Sequence, residues 1–168
     1  YAVEDSKNGC AYSLYNIITP KVGLSYIENM NFSKIVQQDY TLSSGLGGLH
    51  HGTNTVEMAN AYSTLENHGE YRQADCISSI LDASGNEIYE EPESKTVYTR
   101  SASDQMTDIL VGVLNSSAGT AKGLKWSSAS DVAAAAKTGT TNDNNVAWFC
   151  GYTPYYTISV WVGYDYPK

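Results

Sequence analysis

This 168-residue chain is poor in basic residues: ten Lys and Arg stand against eighteen Asp and Glu, for a formal charge of -8. The ten are scattered, whereas a protein that grips a nucleic-acid backbone needs a concentrated basic face, so nucleic acid is excluded as a partner. Long apolar runs are missing too. No stretch approaches the roughly 20 apolar residues of a membrane helix, and the N-terminus lacks the basic-then-apolar order of a signal peptide. The chain opens at Tyr1 without Met and reads as a mature or excised piece, so a missing leader says little about location. Cysteine is scarce: Cys10, Cys76 and Cys150 are too far apart for a zinc knuckle or a Cys-x-x-Cys redox pair, and an odd number excludes a fully paired disulfide framework. Cys150 lies in an apolar run and is expected to be a small buried hydrophobe. His50-His51 has no carboxylate or third His at a ligand spacing nearby, so neither a metal site nor a cofactor is expected. A last absence is chemical. None of the eight lysines has a serine three residues before it, so the Ser-x-x-Lys arrangement, a nucleophile one helical turn ahead of its proton-accepting lysine, is absent.

What is present has an order. Residues from about Gly9 to Phe32 read as helical, with Ala11, Leu14, Tyr15 and Ile18 on one face and Pro20 breaking the run. Ser43 to Thr53 is a Gly-rich loop. A helix near Thr55–Asn67 follows, carrying Val56, Ala59, Tyr62 and Leu65 at helical spacing, an Asn54/Glu57 capping box and a stop at Gly69. Cys76–Leu81 and Glu87–Tyr89 flank Asp82–Asn86 as a hairpin. The next helix, capped by Ser101, has the stripe Met106, Ile109, Leu110, Val113 and Leu114. A Gly/Ser-rich loop, Ser116–Ser130, leads to a strand through Lys137, and polar turns at Asn142–Asn145 and Thr153–Tyr155 separate two more strands. Helices, hairpin, helix and three antiparallel strands make an α+β pattern, read as one unit.

The chemistry-bearing segment is Lys137-Thr138-Gly139-Thr140-Thr141 at the head of that strand series. With these contents of Lys, Thr and Gly, a random chain would hold Lys-Thr-Gly about one time in twenty, so position has to add weight. Ser-x-Asn occurs twice. Ser84-Gly85-Asn86 fits the hairpin turn, while Ser6-Lys7-Asn8 precedes a helix that either Ser or Asn would cap. Trp148 and Phe149, at alternating strand positions, are read as packing residues rather than ligand-stacking ones.

A longer series is more specific than either triplet. Gly47-Gly48-Leu49, Glu57–Leu65, Asn67-His68-Gly69, Ala136–Thr141, Ala147–Pro154 and Val160–Asp165 together resemble the high-molecular-weight penicillin-binding proteins, with the closest match to the transpeptidase domain of class A, bifunctional, Gram-positive members. The resemblance runs in order from about Asp5 to the C-terminus. It implies a partial serine β-lactamase/DD-transpeptidase-like α+β fold, with residues 1–168 as the C-terminal portion of one transpeptidase domain and the nucleophile-bearing part absent. The implied activity is cross-linking of peptidoglycan through an acyl-enzyme on D-Ala-D-Ala stem peptides. The implied partners are those stem peptides, β-lactam antibiotics and the N-terminal remainder of the domain, on the extracytoplasmic face of a bacterial membrane. Residue by residue, Lys137 would place positive charge before the substrate carboxylate and the Ser6 hydroxyl, Ser6 would relay a proton to the leaving group, and Asn8 would hydrogen-bond the peptide. Thr138 and Thr140 would bind the carboxylate, Gly139 would let a ligand lie close, and the Thr140 N–H would be one oxyanion donor. The family usually has Gly before the lysine; this chain has Ala136. A different class of function stays open at this point: a non-catalytic module of the same fold that binds peptidoglycan or a partner.

Overall fold

The computed structural model describes residues 1–124, 132–141 and 143–164. Four helices, α1 (Asn8–Ile18), α2 (Pro20–Asn29), α3 (Thr55–Glu66) and α4 (Arg100–Asn115), are joined to a two-residue pair, β1 (Glu70–Tyr71) with β2 (Lys95–Thr96). A three-stranded antiparallel sheet follows, β3 (Ala135–Thr140), β4 (Val146–Tyr152) and β5 (Thr157–Gly163), in the order β3-β4-β5. Its register sets Lys137 opposite Cys150, Gly139 opposite Trp148 and Trp148 opposite Trp161. Helices packed on antiparallel strands make the fold α+β.

Sequence chemistry explains the breaks. Pro20 occupies the first turn of α2, where its missing N–H has no helical partner to lose. Helix α3 ends as expected near Gly69, but the left-handed turn takes two residues, His68 (φ 54°) and Gly69 (φ 95°), and the Gly69 N–H bonds the Thr64 carbonyl at 2.8 Å. The buried core joins α4 to the sheet: Leu110, Val113, Ala121, Ala135 and Tyr152, with Val3, Tyr62, Leu65, Met106 and Phe149 against them. Each large aliphatic side chain buried this way contributes about 1.5–3 kcal/mol. Cys150 is buried in β4.

Several expectations are corrected. Ser101 is not the cap of α4; the chain is already extended at Thr99, whose hydroxyl accepts the Ala102 N–H at 3.3 Å, and Ser101 lies inside the first turn. The Asn54/Glu57 capping box is half formed. Asn54 accepts the Glu57 N–H at 2.9 Å, but the Glu57 carboxylate is taken by the Ser33 N–H (3.1 Å), the Ser33 hydroxyl (2.6 Å) and the Thr53 hydroxyl (2.9 Å). Burial pushes that carboxyl up, and these bonds outweigh it and hold it below the ordinary range. The hairpin at Asp82–Asn86 shrinks to a single bridge, Leu81 to Glu87, because its turn is satisfied by the Asp82 carboxylate rather than by a ladder. A short 3-10 helix, Leu42–Leu46, takes in the start of the Gly-rich loop. The apolar face of α1 buries nothing fully. Parts of the Ser116–Ser130 loop, Asn142 and Asp165 lie outside the described residues.

Candidate active site

Two distant segments meet at the outer side of β3. The Lys137 ammonium donates to the Ser6 hydroxyl oxygen at 2.8 Å and to the Thr138 carbonyl at 2.7 Å, across a sequence separation of 131 in the first case. Strand β3 has β4 on one side and, among the described residues, no strand on the other, so this edge faces the Ser6 segment.

Each side chain is positioned by its own element. Ser6 lies in a tight N-terminal turn closed by Ser6 N–H to the Val3 carbonyl (3.2 Å) and Lys7 N–H to the Ala2 carbonyl (2.8 Å). Its φ of 52° is left-handed, an uncommon state for a serine that the surrounding bonds must hold. Val3 packs on the core, which anchors the turn to α4 and the sheet. Lys7 turns away to an ion pair with Asp5 at 2.7 Å. Asn8 begins α1 and is exposed; among the described hydrogen bonds none uses its side chain, so Ser6 and Lys137 are brought together and Asn8 is not tied to either. Partial burial pushes Lys137 below the ordinary lysine range.

The rest of the motif lines the same strand. Thr138 is half-buried and its hydroxyl lies 2.6 Å from that of Thr120. Thr140, at the strand end, is exposed. A Cβ added at Gly139 would meet only the Trp148 Cβ, at an ordinary 3.4 Å, so packing within this chain does not demand a glycine there. Ala136 is fully buried opposite Gly151 in the register, and a Cβ added at Gly151 would press on the Phe149 ring at 3.0 Å. Phe149 packs on the core, and Trp148 with Trp161 lines a hollow beside Thr53–Thr55 at the start of α3. Thr120 and Glu4 belong to this neighbourhood and had no signal in the sequence. Thr120 sits in an irregular loop and Glu4 in the acidic pair Glu4-Asp5, and neither position carries a period.

Comparison with known proteins follows the same lines. The family model for the penicillin binding protein transpeptidase domain matches residues 18–166, starting beyond Ser6. Penicillin-binding protein 4 of Bacillus subtilis (strain 168) is 33% identical over 167 residues, 99% of this chain and 26% of that protein. Penicillin-binding protein 1A of Clostridium novyi (strain NT) is 34% identical over 167 residues, 98% of this chain and 19% of that protein. The chain therefore spans about a quarter or less of these curated relatives. Among solved structures, penicillin-binding protein 1A of Haemophilus influenzae superposes with a TM-score of 0.77 at 18% identity, covering 98% of this chain and 29% of that one. PonA1 of Mycobacterium tuberculosis in complex with penicillin V gives 0.80 at 23% identity, covering 96% and 46%.

Proposed function

Because this chain belongs to the penicillin-binding protein transpeptidase domain family, we propose that it is the C-terminal portion of a serine-type D-Ala-D-Ala transpeptidase, one wall of a cleft whose nucleophile lies in the part of the domain that precedes Tyr1. The reading places the whole protein on the extracytoplasmic face of a bacterial membrane, with the anchor outside this chain. Among the described residues no helix is long and apolar enough to cross a membrane.

The observation that carries the reading is the 2.8 Å bond from Lys137 to Ser6. A hydroxyl oxygen that accepts from an ammonium keeps its own proton to give away. In the proposed reaction the upstream serine oxygen bonds the penultimate D-Ala carbonyl carbon and the peptide C–N bond breaks. The serine proton ends on the leaving D-Ala amine by way of Ser6. An acceptor amine from a second stem peptide then bonds the acyl carbon, the serine C–O bond breaks, and the amine proton returns to the serine oxygen, completing the cross-link. Lys137 supplies positive charge toward the substrate's terminal carboxylate, which the Thr138 and Thr140 hydroxyls bind, and Asn8 holds the peptide. The Thr140 N–H and the nucleophile's own N–H stabilise the oxyanion. Gly139, bare and not required by internal packing, leaves the strand open to close approach of the peptide. β-Lactams enter the same site as mimics of the stem peptide.

The test uses the full-length protein and a fluorescent penicillin. Ser6→Ala, Ser6→Gly and Lys137→Met are each expected to lower the acylation rate by about 100-fold or more, the usual span of general acid–base contributions. The two Ser6 variants act oppositely on the left-handed backbone, so an equal loss in both assigns the effect to the hydroxyl. This chain expressed alone is expected to take no label. Wild-type rates in the Ser6 variants, or a covalent adduct on the isolated chain, would sink the reading. A start codon close to Tyr1 in the gene would favour the binding-module alternative instead.

A further inference from the structure

Thr120 stands outside the motifs that identify the family, yet it is bonded to both halves of the site. Its backbone N–H donates to the Glu4 carbonyl at 3.2 Å, in the turn that carries Ser6. Its side-chain oxygen lies 2.6 Å from the Thr138 hydroxyl on β3. The residues beside it are fixed. A Cβ on Gly119 would overlap the Val113 carbonyl oxygen, so that position must approach the end of α4 as glycine. Ala121 is buried in the core and donates its N–H to the same Val113 carbonyl at 3.1 Å. The backbone of this segment is held beside β3, and from it the exposed Thr120 side chain reaches the Thr138 hydroxyl.

We infer that Thr120 is a positioning residue for the anionic end of the substrate, acting through Thr138. The inference rests on the transpeptidase reading above. A threonine hydroxyl has one proton to donate and two lone pairs with which to accept, whereas a carboxylate only accepts. When a carboxylate sits on Thr138, the Thr138 proton must point at it. The Thr138 oxygen then takes its own hydrogen bond from Thr120. The bound anion thus sets the direction of the pair, Thr120 to Thr138 to carboxylate, and each bond polarises the next towards the negative charge. Without the Thr120 hydroxyl, Thr138 keeps its side chain but loses the partner that orients it.

The experiment measures acylation of the full-length protein by benzylpenicillin and by its methyl ester, in which the carboxylate is blocked. Thr120→Val keeps the shape and removes the hydroxyl. It is expected to lower the acylation efficiency with benzylpenicillin about tenfold, the scale of one charge-linked hydrogen bond, with the loss in initial binding rather than in the acylation step. The ester is expected to change less than twofold, Thr120→Ser to return within about threefold of wild type, and Thr120→Val to add nothing to Thr138→Val. A Thr120→Val protein within twofold of wild type on benzylpenicillin, an equal loss on the ester, or full additivity with Thr138→Val would overturn the assignment. Failure of the wild-type protein to acylate at all would overturn the transpeptidase reading itself, so the two failures are distinguishable.

Discussion

Lys137 holds a positive charge where water is partly excluded, and this makes it a cost to folding. Burial lowers its pKa. The unfolded chain keeps this proton up to about pH 10.5, and the folded protein releases it earlier. In the window just below 10.5 the unfolded state therefore binds more protons, so this group's contribution to stability rises with pH there and is least favourable at neutral pH. Lys137→Met is expected to melt at or above the wild-type temperature at pH 7, with the gap closing as pH rises toward 10. A variant that melts several degrees lower at pH 7 would show that the charge stabilises the fold. Tyr62 and Tyr98 run the other way: burial raises their pKa, so their contribution persists below pH 10 and is lost as pH climbs through the folded values.

At the scale of elements, the turn after α3 controls the join between helix and strand. Gly69 closes α3 through Thr64, accepts the Val97 and Tyr98 N–H groups on its own carbonyl, and lies where a Cβ would overlap the Tyr98 carbonyl oxygen. Gly69→Ala is expected to cost at least about 2 kcal/mol in the full-length protein, read as a lower urea midpoint with an unchanged slope; a shift under about 0.5 kcal/mol would mean that the turn relaxes. Much of this level was legible in the sequence. Pro20, the α4 stripe and the three-strand run carry periods and breakers that depend on neighbours a few residues away. The β1–β2 pair was not legible, since two-residue strands leave no alternation to see. Nor was Asp39, a buried carboxylate accepting N–H groups from Val36 and His50, because its partners lie on irregular loops. The cap of α4 was missed by two residues, since Thr99 and Ser101 offer the same hydroxyl and only backbone geometry chooses. In the candidate site, Lys137, Thr138 and Ser6 are singled out by an ordered resemblance, whereas Thr120 meets Thr138 only once α4 and β3 have packed.

The molecule as a whole leaves apolar surface uncovered. On α1, Leu14 and Ile17 are exposed, Ile17 by 77%, and on β5 the outward row Ile158, Val160 and Val162 is exposed, Val162 by 65%. Strand β5 also has an edge with no partner among the described residues. The isolated chain is expected to self-associate and to bind a hydrophobic dye. A monomer with little dye binding would contradict this. The bond from Lys137 to Ser6 has one more consequence, and it concerns time. Drawing together positions 131 apart costs about 2 kcal/mol more than closing a turn of about ten residues. Helices and the β3–β5 meander, built from local contacts, form before that closure is rewarded. On the ribosome that closure cannot begin until β3 has emerged, so the contact between Lys137 and Ser6 is a late event of folding.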